Sequence, residues 1–312
     1  MKKLIFYIVI SAVLFSTMEV ALKIAGHQLD SFQLTFIRFL VGGLFLFPFA
    51  LMEIKKNNTI FTKKDYLHML LMGIVCICIG MVFFQFGVEK SNASTAAVIF
   101  CINPMFTMIF AHFITEEKVN RIKLIALAVG LIGIIFMVNP LNMSVGNSGI
   151  GIAFTIGAAI TFGLYSAMGR TSVHRLGGLT QTSISFIFGS VVMLPFLWLS
   201  GKPIIAGITS DNILIVLYIS IMITGIGYLF YFLAMVESDA ATASIVFFVK
   251  PGMAPIIAII TLGEVIGANG LIGIILIFIG SFINLREQKI NKIKNEEETV
   301  KVEEKTNEKN NY

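Results

Sequence analysis

Charged side chains are scarce in this chain. Aspartate, glutamate, lysine and arginine make up 13% of its 312 residues, whereas a soluble domain carries about 25%. Hydrophobic residues make up 56% of the chain, and the mean hydropathy is +0.88. A water-soluble surface cannot be built from this composition, so most of the chain must face lipid or other helices.

Sequence signatures of catalysis and of metal or nucleotide binding are also missing. There is no G-x-x-x-x-G-K-[ST] loop to hold the phosphates of ATP, and no H-E-x-x-H zinc pattern. Cys76, Cys78 and Cys101 lie in apolar runs without metal-ligand spacing, which favours small buried hydrophobes. The sequence therefore predicts no enzyme, no metal, no cofactor and no nucleic-acid partner.

Long apolar runs are abundant, and they predict an all-α integral membrane protein. A helix that crosses the bilayer needs roughly 17–25 mostly apolar residues. The N-terminal run continues past residue 20 without a small-residue cleavage site, which favours an uncleaved first span over a signal peptide. Ten runs have the required length: about 4–24, 32–52, 66–87, 93–114, 122–139, 150–170, 180–199, 212–233, 241–262 and 268–285.

The distribution of lysine and arginine predicts the orientation of these spans. With a cytoplasmic N-terminus, 18 of the 23 basic residues lie in cytoplasmic segments, two lie in outer loops and three lie within spans. Cytoplasmic loops are enriched in basic residues. We therefore expect a multi-pass protein of a plasma or inner membrane with both termini in the cytoplasm.

The chain aligns with itself at an offset of 147 residues. ASTAAVIFCINPMF, residues 93–106, falls on AATASIVFFVKPGM, residues 240–253. The offset divides the chain into two five-helix units, 1–139 and 140–285, followed by a charged tail, 286–312, which we expect to be disordered. Because five is odd, the second unit enters the membrane from the opposite side, and such inverted repeats are typical of carriers with a substrate site between the halves.

These motifs resemble the drug/metabolite transporter superfamily in its ten-helix EamA-type branch. The resemblance covers about residues 4–285 and rests on the repeat, on FIRFLVGG at 36–43, and on the small-residue runs before Pro104 and Pro251. A glutamate that closes the fourth and ninth spans completes the pattern. The resemblance implies export or exchange of small metabolites, amino acids or amphipathic drugs without ATP.

Lys250 is the first candidate site residue, because an ionisable side chain within a span usually faces a protein interior or a cavity. It could bind an anionic group or take part in proton coupling, or it could be a structural lysine bonded to carbonyls freed by Pro251 and Pro255. Its repeat mate Asn103 also precedes a proline, Pro104. We expect helix breaks at all three prolines.

Glu19 and Arg38 form the second candidate, for gating or coupling. They lie at similar depths in adjacent spans, so a salt bridge between them is expected. Glu19 also precedes Lys23 by four residues, the spacing of a helical ion pair. The alternative is that these charges only hold the first two spans together.

Three tyrosines, Tyr165, Tyr228 and Tyr231, are further candidates for substrate contact. Glu117 and Glu264 are interpreted as helix caps or loop anchors.

The function predicted from these features is secondary transport of small metabolites, as an exporter that works by alternating access. A membrane-embedded enzyme acting on lipid, a channel and a non-transporting receptor are the alternatives. The partners expected are a small-molecule substrate and the lipid bilayer, with the chain acting as a monomer or homodimer.

Overall fold

The computed structural model describes residues 2–114, 121–139, 145–237, 245–283, 286, 287 and 290. These residues form helices and short connections, with no strand among them. The helices are α1 Lys3–Gly26, α2 Ser31–Asn57, α3 Lys63–Glu89, α4 Ala93–Ile114, α5 Arg121–Val138, α6 Gly149–Leu176, α7 Gly178–Leu199, α8 Ile213–Ala234, α9 Ile245–Leu262 and α10 Ala268–Ile283.

Seven of these helices are long and apolar enough to cross a membrane, and α5, α9 and α10 are shorter apolar helices. Each predicted apolar run overlaps one of these helices, and the all-helical membrane fold is confirmed. The arrangement as two inverted repeats stays a prediction. Glu117, the first residues of the predicted ninth span and most of the tail 286–312 lie outside the described residues.

Two of the described helices contain π-helical backbone that no pattern in the sequence predicts. α3 is π-helical over Ile74–Met81, and α8 is π-helical over Tyr218–Gly227. A π-helical turn inserts an extra residue and shifts the side chains that follow it around the helix axis. The faces of α3 and α8 therefore cannot be assigned from a single 3.6-residue period.

The prolines behave differently in α4 and α9. α4 is interrupted at Cys101 and Ile102, directly before Asn103 and Pro104. In contrast, α9 runs continuously through Pro251 and Pro255, so the predicted breaks at these two residues are wrong. Proline removes one helical hydrogen bond but in an apolar surrounding the remaining backbone groups still need their partners, which favours a continuous helix.

The helices α2 and α7 pack antiparallel along their lengths. At one end, the Glu53 carboxylate accepts hydrogen bonds from the backbone N–H and hydroxyl of Thr180, at 2.8 and 2.7 Å. At the other end, Lys202 Nζ lies 2.6 Å from an Asp30 carboxylate oxygen. The end of each helix is thus fastened to the start of the other.

The helices α4 and α9 are also antiparallel. The Glu264 carboxylate, just after α9, accepts hydrogen bonds from the backbone N–H groups of Ala93 and Ser94, at 2.6 and 3.0 Å. The Ser94 hydroxyl donates a third bond at 2.5 Å. A carboxylate at these orphan N–H groups stabilises a helix start, so the structure supports Glu264 as a cap that joins two helices distant in sequence.

Glycines bring α5 and α10 into backbone contact. A Cβ atom at Gly273 would lie 2.6 Å from the Met137 backbone nitrogen and 2.7 Å from the Gly133 carbonyl oxygen. A Cβ atom at Gly280 would lie 2.7 Å from the Ala126 carbonyl oxygen. Small residues permit this approach between membrane helices, and the pairing of 273 with 133 and of 280 with 126 makes the two helices antiparallel.

Gly273→Ala tests this contact. Because the added methyl group meets backbone rather than a movable side chain, we expect the free energy of unfolding to fall by about 1–3 kcal/mol. The matched control is Gly252→Ala in α9, where nothing lies within 4 Å of the new atom, so stability should hold or rise slightly. Thermal unfolding in detergent measures both, and equal melting temperatures would contradict the close packing.

Candidate functional site

A buried ion pair joins α1 to α9. Lys250 Nζ lies 2.6 Å from Glu19 Oε1, and the two side chains are 2% and 1% exposed. An unpaired charge in such surroundings is destabilised by several kcal/mol, because the interior cannot replace the water it loses. Each residue therefore makes the burial of the other possible.

Aromatic rings surround the lysine end of this pair. Lys250 Nζ lies 5.3 Å from the centre of the Phe100 ring and 5.9 Å from that of Phe84. The negative faces of such rings attract a cation within about 6 Å. The two phenylalanines, on α4 and α3, thus give Lys250 further stabilisation without a second carboxylate.

Arg38 lies close by on α2 but has no carboxylate partner within ion-pair distance among the described residues. Its side chain is buried, its guanidinium carbon lies 4.4 Å above the Phe39 ring, and Nη2 donates to Met81 Sδ at 3.4 Å. Arg38 Nε has no hydrogen-bond partner in the described part of the chain. The charges of Arg38 and Glu19 interact electrostatically at longer range.

The salt bridge expected between Glu19 and Arg38 is therefore wrong, because the Glu19 carboxylate pairs with Lys250 instead. Similar depth in neighbouring helices does not decide which way a side chain points around the helix axis. The other oxygen of this carboxylate, Glu19 Oε2, has no hydrogen-bond partner among the described residues.

The helical pair expected between Glu19 and Lys23 is also not formed. Lys23 Nζ donates instead to the backbone carbonyls of Val88, at 3.3 Å, and Ser91. These carbonyls lie at and after the end of α3, where helix carbonyls lack intrahelical partners. Lys23 thus fastens α1 to the end of α3, about one helical turn from the buried ion pair.

Asn103 uses its side chain to close the interruption in α4. The amide Nδ2 donates to the Phe100 carbonyl at 2.8 Å, and the residue is 3% exposed. This carbonyl would otherwise lose its partner where Pro104 lacks an N–H. The observed contact supports a structural contribution of Asn103, and its predicted contact with substrate stays a prediction.

The three candidate tyrosines occupy two different places. The Tyr165 side chain lies beside Thr182 and Ser185 of α7, and its ring centre is 5.5 Å from that of Phe162. Tyr228 packs edge-on against Phe186, with ring centres 5.2 Å apart. Its hydroxyl lies near Arg38, so Tyr228 adjoins the buried charged cluster of Glu19, Arg38 and Lys250.

Tyr231 lies one turn further along α8. Its ring centre is 5.4 Å from that of Phe247 and 6.4 Å from that of Phe15. It therefore packs among phenylalanines of α1 and α9, on the same side of the bundle as Tyr228, which contacts Phe15 as well.

Gln85 is a buried polar residue that the sequence reasoning did not select. It is fully buried in α3, its Nε2 donates to the Leu22 carbonyl at 3.5 Å, and its Oε1 has no partner among the described residues. A glutamine within the apolar run MVFFQFG was a visible signal. Among the described residues, no group of three histidine, cysteine, aspartate or glutamate side chains could hold a metal ion.

Comparisons with known proteins extend this picture. A family model described as the EamA-like transporter family matches residues 2–139 and 149–286. An uncharacterized transporter of Clostridium kluyveri is 40% identical over 295 residues, covering 93% of this chain and 95% of that protein. An S-adenosylmethionine uptake transporter of Rickettsia prowazekii is 29% identical over 189 residues, 61% of this chain and 62% of that protein.

A solved crystal structure has a similar fold. Its TM-score is 0.62 at 16% sequence identity, and the match covers 89% of this chain and 94% of that one. At this identity the likeness bears on the fold alone.

The ion pair predicts an asymmetric response to substitution. Lys250→Met leaves Glu19 buried without a partner and should lower the free energy of unfolding by about 3–5 kcal/mol. The double variant Glu19→Gln, Lys250→Met removes both charges and should recover most of this loss. Thermal or denaturant unfolding in detergent measures the set.

Lys202→Met is the matched control, because it breaks the partly exposed pair with Asp30. We expect a loss of less than about 1 kcal/mol there. A double variant no more stable than Lys250→Met would show that the two buried charges are not energetically coupled.

Proposed function

The chain belongs to the EamA-like transporter family, and from this premise we propose that it is a secondary transporter of small metabolites. It is a multi-pass membrane protein. In this proposal it works by alternating access in the plasma membrane, exports its substrate without ATP, and needs no cofactor. Residues 1–139 and 140–285 form its two inverted five-helix halves.

The helix contacts support the inverted repeat because the contacts reported for one half recur in the other half when each helix is replaced by its repeat mate. α1 packs against α8 and α9, and its mate α6 packs against α3 and α4. The mated pairs α2 with α7, α4 with α9, and α5 with α10 each pack antiparallel. An axis in the membrane plane relates such pairs in inverted-repeat carriers.

The irregular backbone supports the same relation. The π-helical stretch Ile74–Met81 in α3, moved along the chain by the repeat offset, falls on 221–228 and overlaps the stretch Tyr218–Gly227 in α8. Unusual helical turns at related positions of two halves favour a shared ancestry and a shared mechanical task, since π-turns concentrate at functional sites.

The buried pair of Glu19 and Lys250 carries the proposal. Glu19 belongs to the first half and Lys250 to the second, so their contact crosses the interface at which carriers of this architecture bind substrate. Charges are retained within membrane helices chiefly where function requires them. We place substrate contacts at Lys250, Asn103, Tyr165, Tyr228 and Tyr231.

We assign gating or coupling to Glu19, Arg38 and Lys23. A rocking movement of one half against the other must alter the packing around the contact between α1 and α9, and with it the surroundings of these charges. Monomer and homodimer are both compatible with a site enclosed within one chain. A channel or non-transporting receptor is the alternative, and exchange measurements separate it from a carrier.

Counterflow into proteoliposomes tests the transporter proposal. Vesicles with the full chain are preloaded with a pool of amino acids, organic acids, amines and S-adenosylmethionine, and uptake of labelled members of the pool is followed. Wild type should exchange at least one substrate. The double variant Glu19→Gln, Lys250→Met should fold but lose most of the exchange, because the contact between α1 and α9 no longer carries charge.

Lys202→Met, which changes only the partly exposed pair with Asp30, should transport as wild type does. Exchange that survives in the double variant would make the buried pair structural. Downhill flux without counterflow would favour a channel, and absence of flux for every pool member would contradict the transporter proposal.

Reporter fusions test the expected orientation. Green fluorescent protein fused after residue 312 should fluoresce, because the C-terminus is expected in the cytoplasm. Alkaline phosphatase fused after Lys202 should be active, because the segment after α7 is expected outside. Inactive phosphatase at Lys202 together with a dark C-terminal fusion would invert the orientation.

A further inference from the structure

The buried cluster carries one more positive charge than negative charge. Glu19 supplies one carboxylate, which Lys250 already contacts at 2.6 Å. Arg38 supplies a second cation that is 3% exposed, and among the described residues it has no carboxylate within ion-pair distance. The unbalanced charge therefore belongs to Arg38 rather than to Lys250.

The hydrogen bonds of Arg38 are also incomplete. Its guanidinium has five N–H groups, and Met81 Sδ, at 3.4 Å from Nη2, is a weak acceptor. Arg38 Nε has no partner at all in the described part of the chain. A buried donor left without an acceptor destabilises the protein, and a charged donor does so more strongly.

We propose that Arg38 is the receptor for a carboxylate of the transported molecule, so that the substrates are small carboxylic acids, either monoanionic or zwitterionic. This inference rests on the proposed transport function and names the substrate class of the same site. Lys250 does not perform this task, because Glu19 already neutralises it.

The surroundings of Arg38 fit this assignment. The guanidinium lies over the Phe39 ring, which packs edge-on against Phe186 with ring centres 4.7 Å apart. Stacking on a held ring fixes the plane of the guanidinium, and a fixed plane favours the two parallel hydrogen bonds of an arginine–carboxylate pair. The ionisable groups nearest to Arg38 are Glu19, Tyr228 and Cys76.

Glu19 Oε2 offers a complementary contact. It is buried and accepts no hydrogen bond from the described residues, so it is available to an ammonium group. A zwitterion with its carboxylate at Arg38 and its ammonium at Glu19 would meet both unsatisfied groups. A simple monoanion would meet Arg38 alone.

Thermal unfolding with a maleimide dye measures binding on the full chain in detergent. The dye reacts as Cys76 and Cys101, both buried, become accessible. Four probes are compared: a pool of amino and hydroxy monocarboxylic acids, a pool of the corresponding amides, a pool of the amines that the amino acids give when they lose their carboxylate, and chloride or sulfate alone. Only the acid pool should raise the melting temperature.

Two variants of Arg38 separate binding from a structural role. Arg38→Met should abolish the rise in melting temperature caused by acids. Arg38→Lys, which keeps the charge but cannot donate two parallel hydrogen bonds, should retain part of this rise. The most effective acid, titrated singly, should bind Arg38→Met about tenfold more weakly or worse. Without ligand, Arg38→Met should melt at the wild-type temperature or above it, because it removes an unpartnered buried charge.

The outcomes distinguish this inference from the transport function. Equal shifts with amides or amines, no shift with acids, an equal shift with chloride or sulfate, or an unchanged acid response in Arg38→Met would each overturn the inference. A lower melting temperature of ligand-free Arg38→Met would make Arg38 structural. Counterflow of amines alone would support the transport function and refute the acid site at Arg38. Acid binding without counterflow would support the acid site and contradict the transport function.

Discussion

The structure depends on how buried charge is compensated in an apolar interior. Glu19 and Lys250 are tolerated because they contact each other at 2.6 Å, and this contact fixes α1 against α9. The aromatic rings of Phe84 and Phe100 then occupy the space around the ammonium group. An interior that excludes water strengthens such contacts and destabilises every polar group left without one. The neighbouring Arg38 is such a group, because it has no carboxylate within ion-pair distance among the described residues.

The fold was largely predictable because lipid imposes a simple rule on the chain. Each backbone group within a bilayer must be bonded internally, which favours a helix for a long apolar run, and each predicted run is helical over most of its described residues. The sequence could not reveal the π-helical stretches of α3 and α8, because a change in helical period leaves the composition unchanged. It also overstated the effect of Pro251 and Pro255, which α9 accommodates without ending.

The candidate site was predictable in membership but not in pairing. Glu19, Arg38 and Lys250 stood out because charges are rare within spans. Their partners did not, because Glu19 and Lys250 lie far apart in sequence. Counting residues along a helix gives the depth of a side chain in the membrane but not the direction in which it points. Lys23 and Asn103 illustrate the same limit, since both side chains donate hydrogen bonds to backbone carbonyls. The spacing of polar residues in the sequence does not predict such contacts.

The contacts at the ends of the bundle differ in kind from those at its centre, and this difference bears on alternating access. Lys202 with Asp30 and Arg175 with Asp65 are ion pairs with partly exposed members; such pairs contribute little to the free energy of unfolding. They can open and form again at little cost. The buried pair of Glu19 and Lys250 cannot separate without leaving two charges unpaired. Movement is therefore expected to open the ends of the bundle around a centre that stays paired, unless a substrate supplies replacement charges there.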